Sequence, residues 1–163
     1  MTAPVDTNET TVRKSVAVNA PIDRAFEVFT ARFDTWWPRK HHPGVGDMSE
    51  FVLDTHVGGR WYSRGVDGRE WDTGNVLEFE PPKHIALSWH LNGAFRADPD
   101  PDHASRVDVW FTAVSPTSTR VELAHSQLDR HGSTWRVLRD GVDSDGGWQH
   151  LLEVFAAAVV DAA

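Results

Sequence analysis

The hydrophobic pattern divides the chain into a strand-rich middle and one long amphipathic helix near the C-terminal end. The apolar residues of that helix recur at the spacing of a single helix face: Trp148, Leu151, Leu152, Phe155 and Val159. Between residues 49 and 127, apolar and polar residues alternate in short runs, which is typical of strands with one buried face. An amphipathic helix beside one sheet buries its stripe by lying across that sheet, so the pattern predicts an α+β protein.

Turn residues place the remaining elements in order. A strand at 12–18 precedes a helix that begins near Pro21, with Asn19 or Ala20 as its cap, and a short second helix at 33–37. Six strands follow, at residues 50–56, 60–64, 70–79, 85–91, 106–114 and 120–127. The predicted order is therefore β-α-α-β6-α, a curved antiparallel sheet wrapped around the C-terminal helix. Gly74 in the third of these six strands is typical of a bulge.

Further features refine this outline. Residues 1–10 are polar and are expected to form a disordered tail before a single domain at 11–163. A helical segment at 133–142 precedes the final helix, and the Asp- and Pro-rich residues 92–104 form a loop. Trp110 and Tyr62 fall on the outer face of the sheet, so we expect a monomer or a homodimer.

Composition and charge narrow the function classes. The net charge of −8 disfavours nucleic-acid binding, and the lack of cysteine removes disulfides and thiolate chemistry. No apolar segment approaches the ~20 residues that span a bilayer, and the N-terminus resembles no signal peptide. We therefore expect a cytoplasmic protein that acts without a membrane. Eight Trp and eight Phe, against one Tyr, fit either a core or a ligand pocket.

Polar candidates for chemistry are few. His41 and His42 are adjacent on a loop, where both rings reach one ion only with special geometry, and the acidic loop lacks an EF-hand pattern. We predict no metal and no cofactor. His125 falls on the inward face of the last strand, where it is either a core residue or a polar contact inside a pocket. His90, Asp72 and Glu70 are titratable too, but no spacing links them into a catalytic group.

Several motifs, in their order along residues 11–160, resemble the helix-grip fold of the SRPBCC (START-like, birch-pollen-allergen-like) superfamily. The similarity is strongest to the branch named after the C-terminal domain of the heat-shock-protein-90 ATPase activator. The matching residues are Asn19-Ala20-Pro21 with Ala25-Phe26, Gly58-Gly59-Arg60-Trp61 with Asp67-Gly68, Gly74-Asn75-Val76-Leu77-Glu78 with Pro81-Pro82, Ser88-Trp89, Thr119-Arg120-Val121-Glu122-Leu123 with His125, and Gly146-Gly147-Trp148.

The resemblance implies a cavity between the concave face of the sheet and the C-terminal helix. Strand and helix parity then nominates its ligand-binding residues: Phe51, Trp61, Trp71, Trp89, Phe111, Leu123, His125, Trp148, Leu152 and Phe155, with Trp36 and Trp37 at the mouth. No catalytic motif carries over, so the favoured hypothesis is binding of a small apolar or aromatic molecule. The alternatives are a polyketide cyclase or aromatase that uses the same cavity, and an interaction module for the chaperone.

Overall fold

The computed structural model describes residues 9–42, 44–98 and 100–161. Seven strands form the sheet: β1 (Val12–Val18), β2 (Met48–Leu53), β3 (Arg60–Gly65), β4 (Glu70–Glu80), β5 (His84–Trp89), β6 (Ser105–Ser115) and β7 (Ser118–Ser126). Three α-helices accompany them: α1 (Ile22–Phe29), α2 (Trp135–Val142) and α3 (Trp148–Asp161). Short 3₁₀ segments lie at Phe33–Thr35, Pro101–His103 and Leu128–Thr134.

The strands form one antiparallel sheet in the order β1-β7-β6-β5-β4-β3-β2. The sheet curls around α3, so the predicted α+β class and helix-grip fold are confirmed. The predicted second helix is a single 3₁₀ turn at Phe33–Thr35, because Pro38 prevents a longer one. None of the helices in the described part of the chain combines the length and apolar character needed to cross a membrane.

Two details of the N-terminal region differ from the sequence prediction: the extent of the tail and the residue that caps α1. Residues 1–8 of the predicted tail lie outside the described residues, while Thr10 is buried and its carbonyl accepts a hydrogen bond from the Leu128 N–H. Pro21 itself is the N-cap of α1, where we expected Asn19 or Ala20, because its carbonyl accepts the first helical bond from Ala25. The cap position needs no N–H, so proline fits there.

A bulge in β4 confirms the prediction at Gly74. Gly74 pairs with Trp61 and Asp72 pairs with Tyr62, which leaves Thr73 as the extra residue. A Cβ atom at Gly74 would lie 1.7 Å from the Ser88 carbonyl oxygen, so only glycine allows this approach of β4 to β5. Thr73 is buried.

The predicted apolar stripe of α3 is buried along its whole length, which confirms the helix and its orientation: Trp148, Leu151, Leu152, Phe155 and Val159. The helix packs against β1 and α1. Its polar face remains exposed, as in Glu153 and Asp161. The space between α3 and the concave face is therefore where a cavity has to be sought.

Candidate functional site

Aromatic side chains fill the middle of the space between α3 and the sheet. The ring centre of Phe155 lies 5.2 Å from those of both Phe29 and Trp36. Phe29 in turn lies 5.7 Å from Phe111 on β6. Offset and edge-to-face pairs at these distances are typical of a close-packed interior. This part of the molecule is core and leaves no room for a ligand.

A cavity of about 280 Å³ opens at the N-terminal end of α3. This volume is close to the lower limit of roughly 300–1,000 Å³ for small-molecule pockets. Its walls come from the 37–42 segment, strands β4 and β5, the loop after β5, the end of α2, the connection from α2 to α3, and the first turn of α3. The lining residues are Trp37, Lys40, His41, His42, Thr73, Trp89, Leu91, Phe95, Gly141, Val142, Gly146, Gly147, Trp148 and Leu151.

Four indole rings, which we name the tryptophan quartet, stand between this cavity and the core. The quartet consists of Trp37, Trp61, Trp89 and Trp148, which form a closed cycle of neighbours. Successive ring centres lie 6.1, 5.6, 5.6 and 6.0 Å apart in that order. All except Trp61 line the cavity.

The indole N–H groups of the three cavity tryptophans are all used inside the protein. Trp37 Nε1 donates to the His41 carbonyl at 2.7 Å, and Trp89 Nε1 donates to the Leu91 carbonyl at 2.9 Å. Trp148 Nε1 donates to His125 Nδ1 at 3.0 Å. Because an indole has no other donor, these rings offer the cavity only aromatic surface.

His125 belongs to a buried hydrogen-bond chain behind the quartet. Its Nδ1 accepts from Trp148, so the neutral ring carries its proton on Nε2, 2.7 Å from Ser105 Oγ. Ser105 Oγ also lies 2.7 Å from His131 Nε2, which is therefore the acceptor of the serine proton. The chain thus runs in one direction, from Trp148 through His125 and Ser105 to His131.

Burial holds both histidines of this chain neutral. It lowers the pKa of His125 to about 3, with a smaller contribution from the nearby His131. It likewise lowers the pKa of His131 to about 4, against a partly opposing effect of Asp98. His125 is fully buried and outside the cavity lining, so its contact with the cavity is indirect, through Trp148.

The polar rim of the cavity comes from the 40–42 segment. His41 Nε2 lies 3.3 Å from the Gly146 carbonyl and so links this segment to the start of α3. His42 Nδ1 is buried and has no hydrogen-bond partner among the described residues. Lys40 is exposed beside them. No aspartate or glutamate lies among the described residues that line the cavity.

Phe95 covers the opposite lip of the cavity in an unusual backbone conformation. Its φ is +56°, a region that non-glycine residues seldom occupy, and its side chain is 40% exposed. A tight turn holds it there, since the Asn92 side chain accepts hydrogen bonds from the N–H groups of Ala94 and Arg96. The ring packs over Gly141, where an added Cβ atom would come within 3.0 Å of it.

One group on the outer face has the composition of a metal site. Glu78, His84 and Asp108 bring ligand atoms within 4.8 Å of one another. Arg106 donates hydrogen bonds to both carboxylates, and His84 Nε2 lies 2.8 Å from Asp108. The guanidinium group already pairs with both carboxylates and offsets one of their two charges, so we assign no ion to the group.

The structure divides the residues nominated from sequence into three groups. Trp37, Trp89 and Trp148 line the cavity. Trp71 is partly buried beside Gly44 and Gly65, away from the lining. The others are buried in the core around it: Trp36, Phe51, Trp61, Phe111, Leu123, His125, Leu152 and Phe155.

Several residues that line the cavity were not predicted from the sequence. Leu91 and Leu151 had inward parity, which was the signal that could have identified them. Thr73 shares the parity of Trp71, which the same pattern had turned inward. Lys40 and Phe95 belong to irregular segments, where residue spacing carries no directional information.

A curled antiparallel sheet around a C-terminal helix, with a cavity at one end of that helix, defines a helix-grip protein of the SRPBCC superfamily. The model of one family, described as Activator of Hsp90 ATPase homolog 1-like protein, matches residues 19–159. The chain belongs to this family, as the motifs around Gly58-Gly59 and Gly146-Gly147 had indicated. No curated protein matches the sequence.

Two solved structures are similar in sequence as well as fold. The anthrahydroquino-gamma-pyrone synthase Txn09 is 38% identical, with 91% of this chain and 96% of that chain covered and a TM-score of 0.64. The self-sacrificing resistance protein CalC from Micromonospora echinospora is 31% identical, with 95% and 97% covered and a TM-score of 0.70. Protein NE0264 from Nitrosomonas europaea, at 16% identity over 99% and 100% of the two chains and a TM-score of 0.66, shares the fold.

Proposed function

We propose that this protein binds a planar aromatic molecule in the cavity at the N-terminal end of α3. The observation that carries the proposal is the wall made by Trp37, Trp89 and Trp148, whose N–H groups are all bonded internally. Such a wall favours flat, apolar ring systems, which gain from stacking and edge contacts. The rim supplies the few polar groups that would orient a ligand.

One relative supports this choice of ligand class. The synthase that shares 38% identity is named for an anthrahydroquino-gamma-pyrone, which is a fused and planar ring system. A flexible fatty acyl chain would need a longer channel, and aromatic core side chains block the space beyond the quartet. We therefore favour fused aromatic compounds over fatty acyl compounds.

Titration of intrinsic tryptophan fluorescence tests the proposal. A panel of anthraquinones, flavonoids and fatty acyl compounds is added to the full chain, and we expect quenching by the fused aromatics. Amide chemical shifts then locate the site, with changes expected at Thr73, Gly147 and Leu151 and none at Ser115 in the distant β6–β7 hairpin. Absence of quenching by every fused aromatic would overturn the proposal.

A second candidate function is cyclisation of a polyketide-like substrate in the same cavity. It is favoured by the 38% identity to a synthase and by the unpartnered Nδ1 of His42 in the lining. Acid–base catalysis requires a titratable group at the reacting atom, and His42 meets this requirement better than His125, which lies outside the cavity. Turnover of a bound substrate that survives in His42→Gln would remove His42 from this role.

A further inference from the structure

The rim of the cavity has a charge opposite to that of the protein as a whole. The chain carries a net charge of −8, yet its cavity is lined by Lys40, His41 and His42 and, among the described residues, by no carboxylate. A local reversal of charge at a concave site indicates what the site attracts, because clefts concentrate the field of the groups that line them.

Lys40 has no ion-pair partner among the residues that the structure describes. Its neighbour Arg39 is paired with Asp34 at 2.5 Å, whereas no carboxylate in the described ranges approaches Lys40 to within 4.0 Å. An ammonium group has three donors and no acceptor, so its complement must supply acceptor atoms. The Gly146 carbonyl is an acceptor in the same lining, but it already lies 3.3 Å from His41 Nε2.

His42 provides a second polar atom in the same place. Its Nδ1 is buried without a partner in the described part of the chain, which is uncommon for a buried polar atom. In the tautomer that carries the proton on Nδ1, this atom donates a hydrogen bond. The three indoles of the wall cannot compete for the same ligand atoms, because their donors are already used.

We infer that the aromatic ligand carries an anionic oxygen group, such as a carboxylate, which Lys40 and His42 bind at the rim while the rings lie against the tryptophans. The inference rests on the proposed function and narrows its ligand class. A charged acceptor forms stronger hydrogen bonds than a neutral one, and it would pair with an ammonium group that has no carboxylate partner in the described ranges. A neutral ligand of the same shape could not form this ion pair with Lys40.

A matched pair of probes tests this inference directly. Anthraquinone-2-carboxylate and anthraquinone-2-carboxamide share size and ring system but differ in charge, and their binding is followed by quenching and calorimetry at pH 8. We expect the carboxylate to bind roughly three- to tenfold more tightly, as one charge-assisted contact at an exposed rim allows. Added NaCl should weaken the binding of the carboxylate probe and leave that of the carboxamide unchanged, because salt screens exposed charges.

Variants assign the effect to the rim. Lys40→Met should remove the advantage of the carboxylate and leave the carboxamide unchanged, whereas Lys40→Arg should retain it. Lys83→Met, at an exposed lysine outside the cavity lining, is the matched control and should change neither affinity. Equal binding of both probes to the wild type and to Lys40→Met would overturn this inference while the proposed function stands. Failure of both probes to bind, together with every fused aromatic of the fluorescence panel, would overturn the proposed function itself.

Discussion

Ser105 is the central link of the buried chain that supports the cavity wall. It accepts a hydrogen bond from His125 Nε2 and donates one to His131 Nε2, each at 2.7 Å, and its residue is 2% exposed. Ser105→Ala removes a single oxygen but interrupts both bonds. The donor on His125 and the acceptor on His131 then remain buried without partners.

The loss of stability in Ser105→Ala follows from the two buried groups that are left without hydrogen-bond partners. Each unsatisfied buried group costs about 1–3 kcal/mol, so the free energy of unfolding should fall by about 2–6 kcal/mol. That is a large fraction of the ~5–15 kcal/mol that stabilises a typical domain. Replacing His131 by Phe as well removes one stranded acceptor, so the double variant should lose less than the sum of the two single variants.

Urea unfolding followed by tryptophan fluorescence measures this loss as a lower midpoint at an unchanged slope. Ser115→Ala is the control, because Ser115 lies on the same strand but is exposed, and it should change stability by less than about 0.5 kcal/mol. If Ser105→Ala is no more destabilising than Ser115→Ala, the directional chain is wrong. NMR of the histidine side chains gives an independent check, with protons expected on His125 Nε2 and His131 Nδ1.

Two further predictions concern the buried histidines and the cavity lip. His125 and His131 have pKa values of about 3 and about 4, below the usual 6.5, so below pH 6.5 the unfolded chain binds more protons than the folded one. The free energy of unfolding should therefore fall as the pH is lowered from 6.5 to 4, by at most ~1.4 kcal/mol per pH unit for each histidine, and neither ring should titrate above pH 5 by NMR. Phe95→Gly should relieve the strain of φ +56° and leave stability equal or higher, yet weaken the binding of anthraquinone probes. Leu77→Ala, at a similarly exposed side chain outside the cavity, should leave that binding unchanged.

Each of these two predictions has a clear contradicting result. A ring of His125 or His131 that titrates near pH 6.5 would show that its site is hydrated rather than buried. Unchanged probe affinity in Phe95→Gly would show that the lip takes no part in binding.

Alternation and helical spacing were sufficient to predict the architecture. Strand β6 and helix α3 could be predicted because each buries one face, and burial of one face produces a periodic pattern of apolar residues. Gly74 could be identified as a bulge for a similar reason, since glycine inside a strand usually marks a close backbone approach. Family motifs such as Gly146-Gly147 then identified the fold.

The extent of the cavity could not be predicted in the same way. Parity correctly turned Phe111 and Phe155 inward, but it does not tell how far α3 stands from the sheet or what fills the gap. Here Phe29 of α1 and Trp36, which directly follows the 3₁₀ turn, occupy that gap. The site is consequently limited to one end of the helix, where Lys40 and Phe95 come from irregular segments.

The tryptophan quartet has an optical consequence. Four indole chromophores with centres about 6 Å apart are close enough for their transitions to couple and for excitation to pass between them. The folded protein should accordingly show a strong near-ultraviolet circular dichroism signal that vanishes on unfolding. An energy acceptor bound against any one of the three cavity rings would then quench the emission of the whole group, so the quartet would report occupation of the cavity by such a molecule.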